Sequence, residues 1–135
     1  MSVDTLVFLR DEQLPSFESW QQALAAAGIA LEKIDDLRAH AGFIPAQFKG
    51  HESGFEWYLD ESEGVFDEMP AAVAGRPYLA SLVTHSDMRE LVCAMYSAAA
   101  LATLADGLVW DEEHDTFITG EQFWKVAQQV EAEYL

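Results

Sequence analysis

Few residues in this chain have the types needed for covalent or metal chemistry, and their spacing argues against most of it. Gly50 to Gly54, GHESG, comes nearest to a nucleophile elbow, which has the form G-x-S-x-G. Its serine, Ser53, stands directly before the last glycine, so the strained turn that exposes a hydroxyl is not encoded and a hairpin turn is expected instead. Thr84, His85, Ser86 and Asp87 supply the residue types of a triad, but as sequence neighbours they diverge, and helix capping accounts for Ser86 and Asp87. Asp111, Glu113 and Asp115 alternate as the early ligands of a calcium loop do, with His114 nearby. An EF-hand needs glycine at the sixth position and glutamate at the twelfth, where this chain has Thr116 and Gln122. A weak divalent site at that turn stays open. His40, His51, His85 and His114 lie too far apart for a zinc signature, and the scattered glycines form no phosphate loop. The expectation is a protein without catalytic residues, cofactor or metal.

Charge points to binding. Asp and Glu number 24 against seven Lys and Arg, a net charge of −17. Nucleic acid and anionic membrane should both be repelled, and a basic protein partner should be attracted. The first candidate surface is the loop Glu61 to Pro77. There Glu61, Glu63, Asp67 and Glu68 mix with Val65, Phe66 and Met69, so long-range attraction comes with apolar side chains for an interface centre. On this reading the acids set the association rate, and Phe66 acts mainly on dissociation. The turn Asp111, Glu112, Glu113 and Asp115 is the second candidate.

These segments need elements to hold them. The central one is Ser86 to Gly107, where apolar residues recur at three- and four-residue steps and spill beyond one stripe, as in a helix buried all round. Ser86 or Asp87 caps its start, and Gly107, expected in a left-handed conformation, ends it. Before it, Thr5 to Leu9 reads as a buried strand, and Phe17 to Ala27 as an amphipathic helix ending at Gly28. Ile29 to Ile34 reads as an edge strand. Two strand-like runs joined at Gly50 to Gly54 form a hairpin whose second run alternates Phe55, Trp57, Leu59 against Glu56, Tyr58, Asp60, with Pro45 marking an edge or a bulge in the first. Tyr78 to Thr84 is a further core strand. After Gly107 come two short strands and a helix capped by Thr119 with Gln122, whose buried side is Phe123, Trp124, Ala127, Val130 and Tyr134.

The order implies an α+β domain spanning residues 1–135, with an antiparallel or mixed sheet of about four to six strands and helices packed on it. The specific expectation is a ferredoxin-like βαββαβ core with the hairpin inserted. At 135 residues the chain can bury roughly 68 per cent of its unfolded surface as one domain. One cysteine, Cys93, excludes an internal disulfide, and no signal or membrane segment is seen at the start, so a cytoplasmic location is expected.

The carboxyl-terminal third, ALATLADGLVWDEEHDTFITGEQF, resembles an ending found among small acidic bacterial proteins that include polymorphic-toxin immunity proteins. There a helix closes on glycine, a short strand leads to an acidic turn, and a capped helix follows. The resemblance implies a small, single-domain, cytoplasmic and non-enzymatic protein that neutralises a cognate toxin, often a basic nuclease. It carries over no catalytic residue. A small hydrolase or ligand-binding protein with a pocket, and an acidic nucleic-acid mimic, are the alternatives.

Overall fold

The computed structural model describes residues 2–10 and 14–135. Among these, three α-helices lie against an antiparallel sheet of seven strands in the order β2-β3-β4-β5-β1-β6-β7. The strands are β1 (Ser2–Leu9), β2 (Ile29–Leu31), β3 (Gly42–Phe48), β4 (His51–Glu61), β5 (Tyr78–His85), β6 (Leu108–Asp111) and β7 (Thr116–Thr119), and the helices are α1 (Phe17–Ala25), α2 (Met88–Ala105) and α3 (Gly120–Tyr134). The strand count exceeds the expected range because both short outer runs, β2 and β7, are paired.

Within the sheet, β6-β1-β5-β4 is the order of a split βαββαβ unit: β1 pairs antiparallel with both β5 and β6, and β5 with β4. The ferredoxin-like core is therefore present. Only part of the hairpin region is inserted, since β4 is a core strand while β2 and β3 extend one edge and β7 the other.

Alternation along each strand sends side chains to opposite faces. Val7, Leu9, Phe55, Trp57, Ala80, Leu82 and Val109 pack on the helical side, where α2 is fully covered from Val92 to Ala102. This helix is long and apolar enough to cross a membrane, but it lies under the sheet, α1 and α3. Two indoles keep their polar edges satisfied inside this core: Trp20 donates to the Ser97 carbonyl at 3.0 Å and Trp57 to the Leu37 carbonyl at 2.8 Å. Cys93 is buried here beside Ser53, and burial pushes its thiol up to about 12, which makes it a core residue and not a nucleophile. Leu104 and Tyr134, expected on buried faces, are 44% and 57% exposed, because each lies near the outer end of its helix.

The caps follow the sequence closely. Ser16 accepts from the Ser19 amide, Asp87 from the Glu90 amide, and Thr119 with Gln122 closes a full capping box. The end of α2 differs from expectation. Asp106 takes the left-handed conformation (φ 52°), and Gly107 does not. The glycine answers a close approach: a Cβ there would stand 2.8 Å from the Phe8 carbonyl oxygen and 3.0 Å from Leu9. The β3–β4 hairpin likewise turns earlier than read. Lys49 and Gly50, both at positive φ (50° and 83°), form the two-residue turn. Gly54 lies inside β4 at φ 143°, where Phe43 lies across it. Pro45, opposite Gly54, accepts from the Glu32 amide at 2.8 Å just past the end of β2, so its missing N–H falls where the β2–β3 pairing stops.

Candidate functional site

The loop Ser62–Pro77 is folded down onto the sheet face away from the helices. Its base is closed by the Ser62 amide donating to the Pro77 carbonyl at 2.7 Å and by the Ser62 hydroxyl donating to the Arg76 carbonyl at 2.8 Å. Arg76 then donates to the Ala72 carbonyl at 3.1 Å, within the turn that includes the short helix Ala71–Val73, and reaches the Asp106 carbonyl at 3.4 Å. Asp106 also meets Arg10 at 2.9 Å, an exposed pair worth at most about 1 kcal/mol. Apolar contacts do more of the work. Phe66, Met69 and Val73 cover Leu6, Phe8, Leu79, Leu108, Trp110 and Phe117 in a second core separate from the helical one.

Phe66 is the hub of that core. Its ring centroid lies 5.6 Å from Trp110, 6.1 Å from Phe117 and 5.9 Å from Phe8. Trp110 and Phe117 are opposed across β6 and β7, the strands that carry the Asp111–Asp115 turn. The two acidic segments read from the sequence are thus joined through one aromatic cluster. Phe66 accordingly has a structural task before any interfacial one, and 40% exposed Val65 is the apolar residue that the loop turns outward.

Glu61 ends β4, and Glu63, Asp67 and Glu68 follow on the loop; all four are exposed. Among the described residues no cation lies within salt-bridge distance of any of them. Glu61, Glu63 and Asp67 line a cleft of about 640 Å³ together with Phe66, Met69 and Tyr78. In the β6–β7 turn, Glu112, Glu113 and Asp115 are exposed, while Asp111 holds the turn together by accepting from the His114 amide at 3.3 Å and pairing with His114 Nδ1 at 2.8 Å. The Asp111 hydrogen bond and charge raise the His114 pKa. Asp115 closes the turn at positive φ (51°). Among the described residues, no group of three or more His, Cys, Asp or Glu is placed to hold a metal ion.

The remaining triad and elbow residue types do not converge. Thr84 is buried, Asp87 caps α2, Ser53 faces the core, and His51 lies exposed at the hairpin end. His85 instead meets Glu56 across β4 and β5, while the Tyr58 hydroxyl donates to the other Glu56 oxygen at 2.5 Å. The Tyr58 bond, then the His85 bond, lower the Glu56 pKa, and the same contact raises that of Tyr58. Both carboxylate oxygens are therefore engaged, leaving a clamped group on the part of the sheet that the loop does not cover. Sequence reading missed this cluster, although the alternation in β4 puts Glu56 and Tyr58 on one face. Compared with known proteins, the chain matches no family model and no curated protein.

Proposed function

We propose that this is a non-enzymatic binding protein that neutralises a cognate basic toxin in the cytoplasm, as an immunity protein does, through one composite acidic surface. The observation that carries the reading is the edge-to-face packing of Phe66 against Trp110 and Phe117, which ties the loop of Glu61, Glu63, Asp67 and Glu68 to the turn of Glu112, Glu113 and Asp115. Carboxylates on a packed loop, unpaired among the described residues, lose little conformational freedom when a partner docks, and a net charge of −17 steers a basic one at long range. Val65 supplies apolar contact in their midst.

The test is binding kinetics against the product of the neighbouring gene at several salt concentrations. Changing Glu61, Glu63, Asp67 and Glu68 together to Lys should slow association and flatten its salt dependence, with the melting temperature nearly unchanged. An association rate that ignores the reversal removes this surface from the mechanism. Failure of the gene pair to protect cells from the toxin removes the immunity reading itself.

A further inference from the structure

The helical side of the molecule carries a second feature, remote from the acidic loop. Between the β3–β4 turn, the first turn of α2 and the end of α3 lies a cleft of about 460 Å³ lined by Lys49, His51, Arg89 and Glu131, and so by two of the seven Lys and Arg in the chain. Lys49 is fixed there: its ammonium contacts Glu131 at 2.5 Å, and Glu131 also accepts from the Tyr96 hydroxyl at 2.6 Å. Burial raises the pKa of Glu131, but the bonds from Lys49 and Tyr96 and the Lys49 charge outweigh it and hold the group below the usual carboxylate range. Arg89 is half-buried and has no hydrogen bond or ion pair among the described residues. A guanidinium held in a cleft without a partner is a receptor for an oxyanion.

Beside this cleft runs an apolar groove of about 420 Å³ floored by Ala23, Ala100, Leu104 and Trp124. Gln128 lines both spaces. On α3, residues 121, 124, 128, 131 and 135 follow at three- and four-residue steps, so the groove and the cleft are successive parts of one trough along a single helix face. Its apolar end includes Leu104, a large side chain left 44% exposed.

We propose that this trough binds an amphiphilic carboxylate, with the head group on Arg89 and Gln128 and a short hydrocarbon tail in the groove against Leu104 and Trp124. Charge complementarity selects the head: the acidic chain repels anions at long range, and Arg89, which no acid neutralises among the described residues, attracts one at short range while Lys49 is held by Glu131. The two volumes fall within the range of small-molecule sites. A second copy of this chain is disfavoured as occupant, because two bodies of charge −17 repel.

The experiment is titration of the full chain with decanoate at constant ionic strength, followed by Trp124 fluorescence and by amide shifts, with acetate and decanol as head-only and tail-only probes. Decanoate should saturate at lower concentration than either. Arg89→Gln should weaken it by about tenfold, the loss expected for one charge-assisted hydrogen bond. Leu104→Asp, at an exposed position, should weaken decanoate while leaving the fold intact by circular dichroism. Arg10→Gln, outside the trough, should change nothing. Equal binding of decanol and decanoate, indifference to Arg89→Gln, or the absence of saturation would each overturn the proposal.

Discussion

The two faces of the sheet are covered by different means. On one, α1, α2 and α3 bury a continuous core in which eleven consecutive α2 residues, Val92 to Ala102, are shielded from water. On the other, one loop does the covering with Phe66, Met69 and Val73, and it leaves bare the half that carries Glu56, Tyr58 and His85. Helices satisfy their own backbone and can be removed only by melting the domain. The loop depends on a few aromatic contacts and on hydrogen bonds at its base, so it can open as a unit of lower stability.

The difference is measurable. Leu101→Ala on the helical face should cost about 2–5 kcal/mol and lower the midpoint of a single cooperative unfolding transition. Phe66→Ala should cost less, about 1–2 kcal/mol, since its ring is only partly buried. Its mark should be faster amide exchange across Ser62–Pro77 with little change in α2. Equal losses from the two substitutions would mean that the loop belongs to the global core, and the contrast between the faces would fall.

The smallest effect concerns the turn. The hydrogen bond from Asp111, and then its charge, raise the His114 pKa above the ordinary 6.5. A raised histidine contributes its stabilisation fully below the unfolded value, and that contribution fades as pH rises through the folded value. Asp111→Asn should return the His114 titration, followed by ring proton resonances, toward the ordinary value with hardly any change in melting temperature. A titration left unmoved would show that something other than this pair closes the turn.

What could be read from the sequence followed from periodicity and caps. The run of apolar residues in α2, the alternation in β4 and the Thr119–Gln122 pair each fix local structure by spacing alone, and the βαββαβ core follows from their order. In the loop, Phe66, Met69 and Val73 have no period, so spacing does not tell that they are covered; only the apolar patch on β1, β5, β6 and β7 gives them somewhere to go. Gly107 was assigned a helix-closing conformation that Asp106 adopts, because the need for a glycine there comes from β1, far away in sequence. Lys49 with Glu131 and Glu56 with His85 are pairs that only the finished sheet and helix layer bring together.

Strand β1 lies inside the sheet, with a neighbour on each side. Its neighbours are β5 and β6, so this strand has both edges unsatisfied until residues 78–109 have been made. Pairings of such long sequence separation close late and slowly. During that interval Val7, Phe8 and Leu9, fully covered in the finished sheet, form an exposed apolar segment.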